Sequence, residues 1–118
     1  MKFLNSGNSQ SLDFSNANIS RLSDAVNDLL NVLRELGYNY SPALSNVLHA
    51  ATVRDEMLFK KCVLINDIWG GSGALWEIDI RQPEQRTRFT NSFRKFADVI
   101  VAIGITDGRV KQIRDDFT

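Results

Sequence analysis

The sequence is poor in the residues that build disulfides and metal sites. It contains a single cysteine, Cys62, and a single histidine, His49. One cysteine cannot form an internal disulfide, and a zinc site needs about three or four cysteine, histidine or carboxylate ligands. We therefore expect neither a metal nor a cofactor. No signal peptide opens the chain, which favours a cytoplasmic location.

The sequence also lacks an excess of charge of either sign and a long apolar run. Its 14 basic residues balance 14 acidic ones, and the formal net charge is zero. This balance provides no broad attraction to nucleic acid or to a membrane surface. No stretch approaches the roughly 18 continuous apolar residues of a membrane span. We expect no nucleic acid or membrane partner, and a hydrophobic content of 43% is typical of one globular domain.

Only two prolines are present, and both fall where a helix is expected to begin. Ser41 and Pro42 are typical of an N-cap followed by the first helical residue. Pro83 begins a later helix, in which apolar residues recur at spacings of four and three and Gly104 marks the end. The helix after Pro83 carries this apolar stripe: Phe89, Phe93, Phe96, Ala97, Ile100 and Val101.

Helical periodicity covers three further segments. The first helix is predicted from Ile19 to Leu36, with Asn18 or Ser20 as its N-cap and Gly37 as its end. A third helix, capped by Thr52, is expected to be the most buried, because apolar residues cover most of its circumference. The alternative is that the second helix continues without a break. A short terminal helix is expected after Thr106, with inward residues Val110, Ile113 and Phe117.

One stretch departs from this periodicity. Three glycines fall within four positions, at Gly70, Gly71 and Gly73. Apolar and acidic residues then alternate as in an extended segment, through Trp76, Glu77, Ile78, Asp79 and Ile80. The glycines are interpreted as a structural turn at a helix end. The alternative is an anion-binding nest, although phosphate loops place glycines before a helix and here the order is reversed.

These patterns together predict an all-α protein, a compact bundle of four to five helices with one short extended segment after a glycine-rich turn. Residues 1–18 mix polar residues with isolated apolar ones and are expected to form a flexible N-terminal arm. Phe14, inside this arm, is expected to pack beside the first helix. Residues 19–118 are expected to form a single helical domain.

The first helix also carries an acidic stripe opposite its apolar face. Its members Asp24, Asp28 and Glu35 recur at helical spacings and point to one side. Such a stripe is usually a solvated face, and the functional alternative is a docking strip for a basic partner. The flanks of the helix after Pro83 are basic and complement the stripe in sign, through Arg81, Arg86, Arg88, Arg94 and Lys95.

The segment from Ile68 to Glu77 resembles a family of short, largely uncharacterised bacterial proteins. These proteins carry a Gly-Gly-x-Gly-Ser segment followed by an acidic position, and some of them resemble immunity proteins to interbacterial toxins. The glycines at 70, 71 and 73 and the acid Glu77 match this pattern. Ala74 stands where the family has serine, and Trp76 stands where a polar residue is expected.

The resemblance and the absence of a recognisable catalytic set lead to one functional hypothesis. We expect a non-catalytic module that binds a protein partner, as an immunity protein or antitoxin neutralises a toxin. The expected partner-binding residues are Trp76, Glu77, Asp79, Asp24, Asp28 and Glu35. The alternative is a regulatory protein that senses a small molecule or nucleotide through the turn between Gly70 and Gly73.

Overall fold

The computed structural model describes residues 12–38, 41–64, 78 and 80–116. Over these residues the chain forms five α-helices and no strand, which confirms the predicted all-α class. The helices are α1 Asn16–Leu36, α2 Ser41–Thr52, α3 Glu56–Val63, α4 Pro83–Ile103 and α5 Gly108–Asp116. The predicted extended segment is not confirmed. Only Ile78 and Ile80 of it are described, and both pack against the core without belonging to a strand.

Helix α1 begins three residues earlier than the sequence predicts. Ser15 is the N-cap, and its hydroxyl accepts a hydrogen bond from the Asn18 amide at 3.3 Å. Asn18, one of the two predicted caps, instead lies inside the helix. Its buried side-chain amide donates to the carbonyl oxygen of Asp13 at 3.0 Å. A contact to the preceding segment therefore fixes Asn18, and the capping role falls to Ser15.

The predicted ends of the two long helices are confirmed. Gly37 ends α1 in the left-handed conformation with φ 83°, and the amides of Gly37 and Tyr38 donate to carbonyls of the last turn. Pro83 is the first residue of α4, and Gly104 ends that helix with φ 129°. Glycine suits both sites because L-residues with a side chain rarely adopt such φ values.

Helices α1 and α4 pack along each other in antiparallel directions and form the centre of the bundle. Glu35, in the last turn of α1, meets Arg88 near the start of α4. About two turns earlier in α1, Asp28 meets Lys95, which lies about two turns later in α4. The interior between the helices is filled by fully buried leucine and phenylalanine side chains, including Leu22, Leu29, Leu33, Phe93 and Phe96. Burial of such side chains contributes about 1.5–3 kcal/mol each.

Helices α2 and α3 pack against each other, and α2 also packs on α1. The chain breaks between α2 and α3 at Arg54, which has φ 57°, so the uninterrupted alternative is wrong. Asp55, and not Thr52, caps α3: its carboxylate accepts from the Leu58 amide at 3.0 Å. The Thr52 hydroxyl donates to the Leu48 carbonyl within α2 at 2.8 Å, and is therefore occupied by its own helix.

Among its described residues, α3 is not the most buried helix. Phe59 and Val63 are fully buried, but Met57 is 84% exposed. Residues 65–77, which follow α3 in the chain, lie outside the described residues. The α1–α4 pair takes the central position because both helices are 21 residues long and present a continuous apolar stripe to each other.

The segment before α1 packs across the ends of α3 and α4. Leu12 and Phe14, which fall within the predicted arm, belong to the core. The Asp13 amide donates to the Ile103 carbonyl at 2.7 Å, and the Phe14 ring meets the Phe59 ring edge to face, with centroids 5.2 Å apart. Phe14 therefore contacts α3 as well as preceding α1. Residues 1–11 of the predicted arm lie outside the described residues.

The terminal helix α5 packs against α4 through Val110 and Ile113, both buried as predicted. Arg114 on its outer side approaches Asp98 of α4 at 3.9 Å. Phe117, the third predicted inward residue, is not among the described residues. In the part of the chain that is described, every helix is too short or too polar to cross a membrane.

Candidate functional site

The site residues predicted from the sequence, six for partner binding and three glycines for the structural turn, fall into two groups. The first group surrounds the glycine-rich turn, and all of its members lie outside the described residues: Gly70, Gly71, Gly73, Trp76, Glu77 and Asp79. The second group is the acidic stripe of α1, formed by Asp24, Asp28 and Glu35, and all three residues are exposed. The structure places the acidic stripe along the contact between α1 and α4.

Glu35 is held by Arg88. The guanidinium donates from Nη1 to Oε1 at 2.7 Å and from Nη2 to Oε2 at 2.9 Å, and both side chains are about half exposed. These hydrogen bonds lower the pKa of Glu35 below its ordinary 4.5, against a smaller opposing effect of desolvation, and charge attraction adds to the lowering. The same contact raises the pKa of Arg88. Glu35 is therefore committed to an intramolecular pair.

The other two acids are less constrained. Asp28 approaches the Lys95 ammonium at 3.9 Å; about half of the Asp28 side chain and two-thirds of the Lys95 side chain are exposed. Asp24 makes no hydrogen bond or ion pair with any described residue, although Arg21 and Lys95 lie around the same depression. The acidic stripe of α1 and the basic flank of α4 thus lie side by side. The acids are paired less closely with bases along α1, from Glu35 through Asp28 to Asp24.

Two adjoining depressions follow the contact between α1 and α4, and we call them together the seam groove. The first, the charged depression, has a volume of about 300 Å³. Its lining consists of Arg21, Asp24, Ala25, Asp28, Lys95, Asp98 and Val99. Ala25 and Val99 are buried and the charged side chains stand around them. The charged depression therefore combines an apolar floor with a rim that holds three acids and two bases.

The second, the amide depression, has a volume of about 250 Å³ and shares Asp28 with the first. Its lining consists of Asp28, Asn31, Val32, Arg88, Asn91 and Ser92. Val32 is buried, and Ser92 is only 7% exposed. The Ser92 hydroxyl makes no hydrogen bond to any residue that the structure describes. A buried polar group without a partner is uncommon in folded proteins.

Sequence reasoning identified Asp28 and missed Asn91 and Ser92. The available signal was the position of Ser92, which lies three residues after Phe89 and four before Phe96, on the apolar face of α4. A small polar residue at such a position is buried together with its apolar neighbours, because the whole face of the helix is covered. Its role depends on the shape of the α1–α4 contact, which periodicity does not specify.

The groove presents charged and hydrogen-bonding groups over an apolar floor. It provides carboxylates, side-chain amides and a hydroxyl over buried valine and alanine side chains. His49 and Cys62 line neither depression. No group of three or more histidine, cysteine or acidic side chains arranged to hold a metal occurs among residues 12–38, 41–64, 78 and 80–116.

Comparisons with known proteins find no matching family model, no matching curated protein and no matching solved structure.

Proposed function

We propose that the protein is a non-catalytic, cytoplasmic protein-binding module, an immunity protein or antitoxin that neutralises a partner toxin by stoichiometric binding. The observation that carries this proposal is the seam groove. An interface needs apolar surface to exclude water and polar groups to select the partner. The groove provides both along two 21-residue helices that pack against each other, and a backbone already ordered in helices loses little conformational entropy on binding.

The charges of the groove favour a partner with basic side chains. Asp24 has no partner among the described residues, and Asp28 has only the distant ammonium of Lys95. A basic residue of the partner that meets these carboxylates gains an ion pair without breaking a strong one. Glu35 contributes less, because its pairing with Arg88 would have to be broken. Charge complementarity of this kind accelerates encounter and suppresses wrong partners.

The second part of the proposed interface comes from the sequence. Trp76, flanked by Glu77 and Asp79, matches the pattern of an aromatic anchor with a polar rim, and such anchors dominate the affinity of many interfaces. The resemblance of the segment around Gly70, Gly71 and Gly73 to immunity-like proteins supports the same function. In this proposal the turn and the groove contact different parts of one toxin.

The decisive experiment is co-expression with the neighbouring gene product in the source genome, above all a large secreted protein encoded upstream. We expect the neighbour to be toxic when expressed alone, and this chain to restore growth and to co-purify with it in a fixed ratio. A neighbour that is toxic but is neither bound nor neutralised would contradict the proposal. So would full protection at a small fraction of the toxin's concentration, because a stoichiometric binder cannot act catalytically.

Charge-reversal variants then locate the interface. Asp24→Lys and Asp28→Lys are expected to weaken binding, and Trp76→Ala tests the turn separately. Glu84→Lys is the matched control, because Glu84 is exposed in the first turn of α4 and lines neither depression. If both groove variants and the control bind equally well, the groove is excluded as the contact surface. The thermal midpoint of each variant shows that it remains folded.

A further inference from the structure

We propose that the amide depression binds a lysine or arginine side chain of the partner protein. This inference rests on the proposed function for the source of the side chain. The chemistry of the ligand follows from three observations on the depression: its available charge, the buried hydroxyl of Ser92 and the apolar surface of Val32.

The available charge of the amide depression is negative. Arg88 is the only base among the described residues that line it, and both terminal nitrogens of the guanidinium already donate to Glu35. An anionic ligand would therefore meet a guanidinium whose charge is already neutralised by a carboxylate. Asp28 is the only acid among the described lining residues, and the Lys95 ammonium lies 3.9 Å from its carboxylate. A cation therefore finds a carboxylate ready to accept it.

The hydroxyl of Ser92 points to a hydrogen-bonding ligand independently of charge. It is more than nine-tenths buried and has no partner among the described residues. A buried hydroxyl without a partner is unfavourable, and a donor that enters the depression removes this penalty. The side-chain amide of Asn91 lines the same space and offers a further acceptor. An ammonium or guanidinium group has several donors and can satisfy these oxygens together.

The size and floor of the depression fit one long basic side chain. Its volume of about 250 Å³ lies below the roughly 300–1,000 Å³ of pockets for drug-sized ligands. Val32 is 3% exposed and provides apolar surface at the base. Lysine and arginine place their aliphatic stems on such surface while their charged ends reach polar groups. The depression thus matches both parts of these side chains.

The test is a nuclear magnetic resonance titration of the full chain with N-acetyl-arginine amide and N-acetyl-lysine amide. We expect saturable shifts of the backbone and side-chain amides of Asn31 and Asn91 and of the Ser92 amide. N-acetyl-glutamine amide, which has no charge, is the matched control and is expected to cause no saturable shift. The stronger of the two basic probes identifies the preferred side chain.

Two variants separate binding from folding. Asp28→Asn is expected to raise the Kd of the basic probes about two- to fivefold, because asparagine keeps an acceptor oxygen but loses the charge of a half-exposed carboxylate. Ser92→Ala is expected to weaken binding without lowering the thermal midpoint, because it removes a hydroxyl that has no partner in the free protein. Ser20→Ala, at an exposed position of α1, controls for the higher helix propensity of alanine.

Three results would overturn the inference: no saturable shift with either basic probe, an equal response to the neutral probe, or a Kd unchanged by both variants. A fall in the thermal midpoint of Ser92→Ala would also overturn it, since the hydroxyl would then have a partner in the free protein. The proposed function is judged separately. If toxin neutralisation holds but the probes do not bind, only the inference about the amide depression fails.

Discussion

Arg88 and Glu35 form a two-pronged ion pair that joins the first half of α4 to the last turn of α1, across 53 residues of sequence. The pair lies beside the amide depression and holds the arginine in place there. Because both side chains are about half exposed, its contribution to stability is small and sensitive to salt. Its more important effect is to neutralise the charge of Arg88 where that residue lines the groove.

The first prediction concerns the protonation of Glu35. Its pKa is lowered by the hydrogen bonds from Arg88, so the folded protein holds this carboxylate ionised at a pH where the unfolded chain protonates it. The stabilisation is therefore complete above the ordinary pKa of 4.5 and is lost as the pH falls below it, through the folded pKa. Arg88→Gln should raise the pKa of Glu35 towards 4.5, as measured by carboxyl-carbon titration.

Arg94→Gln is the control for this experiment. Arg94 is exposed on the same helix and makes no hydrogen bond or ion pair with a described residue. The Arg94→Gln substitution removes one positive charge, as Arg88→Gln does, but changes no contact of Glu35. It should leave the pKa of Glu35 nearly unchanged. An identical pKa of Glu35 in the wild type and in Arg88→Gln would show that the pair does not form in solution.

The second prediction compares three glycines. Alanine at Gly37, where φ is 83° and no atom obstructs a Cβ, should cost about 1–2 kcal/mol for the left-handed backbone alone. Gly104→Ala should cost more, because φ is 129° and the new Cβ would lie 3.0 Å from Cδ2 of Leu12. Gly108→Ala should cost nothing, since its φ is not positive and the space is open. Urea unfolding measures all three. A cost of Gly104→Ala no greater than that of Gly37→Ala would contradict the close approach of Leu12 at the end of α4, and a cost of Gly108→Ala as large as that of Gly37→Ala would contradict the left-handed end of α1.

The third prediction separates the two candidate caps of α3. Asp55→Ala should lower the free energy of unfolding by about 0.5–2 kcal/mol, because the amide of Leu58 loses its acceptor. Thr52→Ala should have a smaller effect, since the threonine hydroxyl bonds within α2 and is exposed. Equal losses from the two substitutions, measured by chemical denaturation, would contradict the assignment of the N-cap to Asp55.

The fourth prediction addresses the segment before α1. A double-mutant cycle with Phe14→Leu and Phe59→Leu should give a coupling energy of about 0.5–1.5 kcal/mol, as expected for an edge-to-face pair. The Asp13 amide should exchange slowly with solvent, because it donates to Ile103. Zero coupling together with fast exchange would favour a flexible arm that extends through residue 18, as the sequence predicts.

The sequence specifies the long helices well because their signals are local and repeated. Pro83 begins α4 because its ring fixes φ, and Gly104 ends the helix because glycine adopts a positive φ without steric hindrance. Between them the phenylalanines at three- and four-residue spacings determine which face is buried. Each of these signals can be read without knowledge of any other helix.

Features that depend on distant residues were predicted less well. Asn18 resembles an N-cap in sequence, but the segment before α1 folds back, and the Asn18 side-chain amide donates a hydrogen bond to the Asp13 carbonyl oxygen. The acidic stripe and the basic flanks were both recognised, yet only the antiparallel register of α1 and α4 shows that Arg88 meets Glu35 and leaves Asp24 free of any described partner. Ser92 was missed because burial without a hydrogen bond is a property of the packed helices.

The pairing of α1 with α4 also has a consequence for the order of events during protein synthesis. The apolar face of α1 leaves the ribosome long before its partner, since roughly 3–10 s separate Glu35 from Arg88 at about 5–20 residues per second. Of the helices that the structure describes, α2 packs on α1 and is made within this interval, so it can cover part of that face before α4 appears. Nascent chains that stop before α4 should therefore be recruited by chaperones, and full-length chains should be released.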